Sequence, residues 1–551
     1  MFFRLKATGP YQYLQIAESH RQDGKVRQRI LATLGRLDLL KSSGQLDSLL
    51  RSGLRFSEKL AVLDAHSTGK LQPSRFTRIG PDLVFSKLWK QSGIVTVLQE
   101  LLSRRHFEFD VERAIYLTVL HRLFCPGSDR AAEQWRENYR IPDTEPLQLH
   151  HLYRAMAWLG EATGEEGEIT GVPRRIKDEI EERLFDQRRD LFSEIDLIFF
   201  DTTSIYFEGQ GGQTLGRHGY SKDHRPDLKQ MIVGLALDIH GWPICSLLWP
   251  GNVTDSKTVL PLIQRFKKRF RVQRVSIVAD RGMISKETIG ALESGEMDCQ
   301  YILGVRMRST GEVEEKVLKD EKPWQEIVPE RKQKKDPSPL KVKEVLIEGR
   351  RYVVCLNEEQ KRKDEEDRKA IVSALKDQLK AAGAKALVGN KGYRKYIKTV
   401  GEAAFEVDEG KIESEAKYDG LWVLRTNMDL ETEVIAQTYK HLWTVEDMFR
   451  TMKSLLTTRP IYHKRDETIL GHVFCSFLAL RMRRELENRM EEQGKAWEWG
   501  EIIRGLDNLS EATLKFGEKE YALRSQLSGL ANVALQGAGV AVPPTLRELQ
   551  K

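Results

Sequence analysis

Hydrophobic and polar positions change their rhythm several times along the chain. From Tyr11 the stretch YQYLQIAESHRQDGKVRQRILATLG alternates, breaks at Asp23-Gly24 and alternates again, which predicts a β-hairpin within residues 1–60. From about 80 to 190 the apolar spacing becomes helical, as in FSKLWKQSGIVTVLQELL and ERAIYLTVLHRLF, with a Pro126-Gly127 break behind the latter. At Ile195 the rhythm changes once more. IDLIFFDTTSIYFEG reads as a buried central strand, and two β-rich runs follow, joined near His240-Gly241. SKTVLPLIQRFKKRF has helical spacing, and VSIVADRG is a short buried strand ending at Asp280. A further helix (ISKETIGALESG) and a further strand (CQYILGVRM) complete what reads as a mixed sheet flanked by helices, an α/β arrangement.

Residues 306–418 turn polar and lysine-rich and read as an insertion. LWVLRTN then restores a strand, and TEVIAQTYKHLWTVEDMFRTMKSLL predicts one long amphipathic helix carrying Glu446. The tail after 490 reads as helical. The expected divisions are a hairpin region at 1–60, a helical domain at 61–190, a mixed-sheet domain in two parts at 191–305 and 419–490 around the insertion at 306–418, and a helical region at 491–551.

A chain of 551 residues requires several such units. It contains no apolar run long enough for a membrane span, and neither a span nor a signal peptide is expected. Five scattered cysteines form neither a zinc motif nor a disulfide framework, which points to the cytoplasm. The net charge of +7 permits a polyanionic partner without requiring one. Basic runs stand at Arg265–Arg274, Arg331–Lys335 and Arg481–Arg484, and each taken alone reads first as a solvated face.

Two aspartates in apolar strands change the picture. An unpaired carboxylate is costly there, so Asp201 and Asp280 imply a metal or a cationic partner. If their strands are neighbours, the two carboxylates project together and Glu446 completes the set from a helix across that edge. Such a group suits divalent ions that clamp the attacking and leaving oxygens of a phosphodiester. An isolated strand-end aspartate serves equally as a cap or a salt-bridge partner, and the spacings of 79 and 166 positions are not diagnostic.

Ile195–Leu480 resembles the insertion-sequence DDE transposases of the IS-four superfamily, whose third acid lies in a Y-x2-R-x3-E-x6-K helix. Tyr439, Glu446 and Lys453 match that signature in register, and FFDTTS and VADRG match the two aspartate motifs. The resemblance implies an RNase H-like mixed sheet with flanking helices, interrupted by a β-rich insertion domain. It implies a transposase that cuts and joins DNA at its element's terminal inverted repeats, using two Mg2+ ions (Mn2+ as a substitute) on Asp201, Asp280 and Glu446. The partners implied are double-stranded DNA, as transposon ends and target, and a second copy in a synaptic homodimer. Tyr439 and Lys453 carry over as contacts to the DNA backbone. The family's arginine is Leu442 here, and Lys440, His441 or Arg450 are the candidates to replace it.

Arg281 is a candidate phosphate contact or a surface ion pair. Lys222 and Arg225, in the loop GYSKDHRPDLKQ, read as substrate-side contacts or as a solvated hairpin tip. His224 has no companion at ligand spacing. Trp422 is either a platform for a base flipped from the transposon end or ordinary core. A metal-dependent nuclease on the same fold, or a DNA-binding protein that has lost catalysis, are the alternative readings.

Overall fold

The computed structural model describes residues 1–22, 25–53, 56–67, 69, 73, 75–164, 173–188, 195–295, 297–308, 310–328, 338–381, 391–400, 404–494 and 497–549. The Asp23-Gly24 break and the basic run 331–335 lie outside the described residues. The chain forms two compact units, one of residues 1–80, 504–532 and 541–551, the other of residues 81–503 and 533–540.

The first unit contains the expected hairpin, with β2 (Tyr11–Gln22) antiparallel to β3 (Lys25–Arg36). A strand the sequence reading passed over, β1 (Phe2–Thr8), pairs with β2 from Thr8↔Tyr11 outwards. A second sheet joins β4 (Arg75–Arg78) to strands from the C-terminal region, where only helix was expected. The run EATLKFGEKEYALR alternates at period two across a Gly517 turn of positive φ, and that hairpin signal outweighs the helical spacing around it.

The second unit is built on one nine-stranded sheet. In chain order its strands are β5 (Ile195–Tyr206), β6 (Gln230–Leu237), β7 (Pro243–Pro250), β8 (Arg274–Ala279), β9 (Cys299–Val305), β10 (Gln325–Ile327), β11 (Leu340–Ile347) and β12 (Arg350–Leu356). After the small hairpin β13 (Ile397–Val400) and β14 (Ala404–Val407), which stands apart, β15 (Leu421–Thr426) completes the sheet. The spatial order is β10-β11-β12-β15-β9-β8-β5-β6-β7. Only β5/β8 and β8/β9 pair in parallel. Strands β10, β11 and β12, from the segment read as an insertion, extend this sheet on the β15 side.

Burial on both faces explains why the central strands are continuous apolar runs. Ile198, Phe200, Ile277, Ala279 and Leu303 join one core with Leu262, Ile263 and Phe266 of the helix Val259–Lys268. The alternate residues point to the opposite face. There the helices Thr432–Lys440 and Trp443–Arg450 touch β8, β9 and β5. The predicted single long helix is therefore two helices meeting at His441 and Leu442, followed by a π turn at Thr451–Leu455. Leu442, only 6% exposed, is drawn into the core at this junction and interrupts the regular winding. The helix Asp466–Glu491 packs on Val111–Phe124 and Leu149–Leu159, in the region expected to be helical.

Candidate active site

Register brings the two aspartates together. In the parallel pair β5/β8, Phe199 lies opposite Val278 and Phe200 opposite Ala279, so Asp201 and Asp280 occupy the next, equivalent level on adjacent strands. Because β8 stops at Ala279 while β5 continues to Tyr206, the sheet opens on this side of β5 where the carboxylates stand. Phe200 faces the core with the helix Val259–Lys268, so Asp201 faces the helices of the opposite side.

Glu446 lies exposed on the Trp443–Arg450 helix, which packs against β5 and β6. The strands packed beneath the helix still strip part of the water from its carboxyl and push it above the usual value, and the Asp280 charge adds to the effect. Burial also pushes Asp201 up, to about 7, with further repulsion from Asp280 and Asp255. Lys222 and the Thr202 backbone N–H, which donates to Asp201 Oδ1 at 2.7 Å, act against that rise without cancelling it. Four carboxylates thus influence one another with few cations between them.

Asp255 escaped the sequence reading. It begins a short 3-10 turn after β7, where Thr254-Asp255-Ser256 reads as a helix cap. Its Oδ1 accepts from Thr202 Oγ1 at 2.6 Å and its Oδ2 pairs with Lys222 Nζ at 3.1 Å. Lys222 also donates to the Thr202 carbonyl at 2.7 Å, so it folds inward onto the carboxylates instead of pointing into solvent.

Tyr439 Oη donates to Asp280 Oδ1 at 3.1 Å, which fixes that carboxylate from above the sheet. The approach depends on Gly304 of β9. A Cβ there would lie 2.4 Å from Tyr439 Oη and 3.1 Å from the Arg281 backbone nitrogen. Gly304→Ala is expected to push Tyr439 off Asp280, lower stability by about 1–3 kcal/mol as overpacking does, and slow catalysis roughly tenfold. Thermal melts of a double-mutant cycle with Tyr439→Phe check this, since removing the hydroxyl in the Gly304→Ala background should return part of the stability. Simple additivity of the two losses would show that the residues do not meet.

The donors offered by Asp201, Asp280, Asp255 and Glu446 are all carboxylate oxygens with an excess of negative charge, the chemistry a hard divalent cation takes, though no three of them stand within 4.8 Å of one another and a cation would have to draw them in. A second ligand-capable group, Asp129, His463 and His472, fits one less well. Arg122 Nη2 lies 2.9 Å from His472 Nδ1, and His463 Nε2 lies 3.1 Å from the same atom. Those contacts already use the lone pair a metal would need.

Residues 192–482, just over half of the chain, match the transposase DDE domain. The chain belongs to the DDE transposases. Residues 4–66 of the transposase match the N-terminal domain of the IS1634 family transposases, so it is an insertion-sequence enzyme. It cleaves and joins DNA strands, and DDE domains of this kind work with divalent metal ions. No curated protein sequence matches it. Among solved structures, a cryo-EM structure of the piggyBac transposase synaptic complex with hairpin DNA aligns over 78% of each chain at 11% identity and a TM-score of 0.38, a likeness too slight to bear on the fold. No helix among the described residues is long and apolar enough to cross a membrane.

The other residues singled out in the transposase sequence scatter around this centre. Arg281 is exposed directly behind Asp280. Arg450 is exposed and pairs with Asp447 at 3.2 Å. Arg225 pairs with Asp227 at 2.8 Å on the surface. Lys453 is largely buried and donates to Asp223 Oδ1 at 2.7 Å. Trp422 is half-buried on β15, opposite Cys355 and on the face shared by Leu424 and Gly304, two strands or roughly 10 Å across from β8. Its indole nitrogen is buried without a hydrogen-bond partner among the described residues. Two of the basic runs turn partly inward, as Arg265 is buried against Glu181 at 2.6 Å and buried Arg481 donates to the Pro243 carbonyl at 2.6 Å.

Proposed function

We propose that this transposase binds the terminal inverted repeats of its own element in the cytoplasm and cuts them with Asp201, Asp280 and Glu446 as the catalytic carboxylates. The observation that carries the reading is the equal level of Asp201 and Asp280 on adjacent parallel strands, with the Glu446 helix across them. The strand order β7-β6-β5-β8-β9, three antiparallel strands followed by two parallel ones, supports an RNase H-like core. Tyr439, Glu446 and Lys453 support membership of the IS-four superfamily, with residues 306–418 as the family's insertion between the second and third acids.

Two Mg2+ ions held by these carboxylates would polarise the scissile phosphate and activate the attacking oxygen. The chain's own contribution is positional. Tyr439 orients Asp280, the Thr202 amide orients Asp201, and Lys222 neutralises Asp255. Arg281 and Arg450 flank the acids as phosphate contacts. Residues 1–190 read the terminal repeat, with exposed Arg27 and Arg29 on β3 among the contacts. Trp422 offers an aromatic face to a base displaced from the end, and two copies of the chain hold the two ends in synapsis.

The test is incubation of the purified chain with a duplex carrying the element's end and with a random duplex, in Mg2+ and in EDTA. Metal-dependent cleavage at the end sequence only is the expected result. Cleavage of both duplexes alike would make the protein a nuclease, and end binding without cleavage would make it a catalytically inert DNA-binding protein.

A further inference from the structure

Leu442 stands where related signatures have an arginine, and its burial puts a DNA phosphate out of reach. A guanidinium stands elsewhere in the same region. Arg459 pairs through Nη1 with Asp223 Oδ1, the same oxygen that accepts from Lys453 at 2.7 Å. Asp223 and Lys453 are 7% and 11% exposed, while Arg459, at 26%, opens the group to solvent. Lys222 is near enough for its charge to act on Lys453. Two cations therefore share one carboxylate oxygen, beside the acid cluster that Lys222 touches.

This grouping is poorly explained as a stabilising ion pair. Burying charges costs several kcal/mol per ion and is offset only where every polar atom is satisfied. Asp223 Oδ2 is buried with no hydrogen-bond partner among the described residues, while Lys453 and Arg459 both meet its Oδ1. A phosphodiester carries a single negative charge on two non-bridging oxygens and can accept from a guanidinium and an ammonium together, much as a carboxylate does.

Arg459 is also held in place before any ligand binds. Ile461 N–H donates to the Tyr206 carbonyl at 3.3 Å and Glu208 N–H to the Ile461 carbonyl at 3.0 Å, which ties the Arg459 loop to the end of β5, the strand of Asp201. On its other side the Thr458 carbonyl lies 3.2 Å from His472 Nε2, and Thr458 Oγ1 bonds Ser476 Oγ at 2.8 Å. The Arg122 and His463 contacts described above hold His472 in turn. Arg459 and half-buried Arg225, itself paired with Asp227, both lie over the Tyr206 ring, at 5.7 and 5.5 Å.

We propose that Arg459 and Lys453 form a seat for a DNA backbone phosphate, supplying the guanidinium that Leu442 lacks, and that Asp223 fills this seat as an internal anion until DNA displaces it. The inference rests on the reading of the chain's site given above and assigns a backbone contact within it. The test measures binding of a labelled random-sequence duplex in EDTA across a salt series, with thermal melts of every variant. Arg459→Gln should weaken binding about tenfold and reduce the slope of log K against log salt by about one. Arg459→Lys should keep most of the slope. Asp223→Asn should tighten binding several-fold, because the competing charge is gone.

An unchanged slope in Arg459→Gln, or weaker binding in Asp223→Asn, would overturn the seat and leave the cluster as a structural clamp. If Arg459→Gln fails to fold, Asp223→Asn decides alone by the sign of its effect. The assay uses no metal, so it is separate from catalysis. Asp201→Asn still cutting in Mg2+ would remove the catalytic assignment without touching the seat.

Discussion

Replacing Asp201, Asp280 or Glu446 by the matching amide should reduce strand cleavage by about a thousandfold or more while leaving DNA binding within a few-fold of the starting protein. The amide keeps the shape and removes the charge, so the loss would reflect electrostatics alone. Asp201→Asn has a second expected signature. Burial and two neighbouring carboxylates oppose ionisation of Asp201, so the neutral amide should raise the melting temperature of the metal-free protein at neutral pH and above. Gain of stability with loss of activity is the pattern of a group held charged for function. Single-turnover cleavage of a duplex carrying the element's end, together with melts in EDTA, tests both halves. A variant that lost stability and activity in parallel would make Asp201 a structural carboxylate.

Much of this centre could be read in the sequence because its physics is local. IDLIFFD and VSIVAD are short apolar runs that end in an acid, and a strand buried on both faces leaves few other ways to write them. Parallel pairing of β5 and β8 then sets their acids level without further information. Residues whose role depends on tertiary meeting were not legible. Asp255 looks like a helix cap until the fold brings Thr202 and Lys222 to it. Asp223 and Arg459 are 236 positions apart and resemble surface charges in a loop. The break at Leu442 is invisible to periodicity, since His441 and Leu442 keep helical backbone angles and only the hydrogen-bonding pattern lapses. In the tail, β16 (Ser510–Phe516) and β17 (Lys519–Arg524) form a local hairpin at Gly517 that the helical spacing around it masked, and only their outer partners, β4 and β18 (Leu546–Leu549), come from distant chain.

The centre is assembled from elements of unequal rigidity. Asp201 and Asp280 are fixed by a buried sheet, whereas Glu446 sits on an exposed helix face just ahead of a π turn. Such turns recur at functional sites because they alter a helix's winding locally. Here the π turn carries Lys453, so the third acid and the cation that meets Asp223 are set by one irregular segment. Tyr439, from the preceding helix, reaches Asp280. A displacement of the 439–455 segment would therefore move Glu446 and Lys453 together, relative to two aspartates that stay put.

The metal requirement should depend steeply on pH. Asp201 has an ordinary value of 3.8 and is raised to about 7 in the folded, metal-free chain. Between those two values the native state holds a proton that the unfolded state has released. Stability of the metal-free protein should then be greatest below about pH 4 as far as this group is concerned, decline as pH rises towards about 7, and stay level beyond. A divalent ion needs the carboxylate, so below about pH 7 it must displace that proton, and its apparent affinity should fall about tenfold for each pH unit, or about a hundredfold by pH 5. Glu446 is raised in the same direction, which steepens the fall. Cleavage at limiting Mg2+ should follow the same curve and flatten above neutrality. Calorimetric titration of Mg2+ into the wild-type chain from about pH 5 to pH 8, with melts in EDTA, measures both trends, and Asp201→Asn should remove the inflection near 7 from the melts. Metal affinity that does not change across this range would mean that Asp201 is already ionised without metal, and the opposed, buried carboxylate would no longer explain why this site takes a cation.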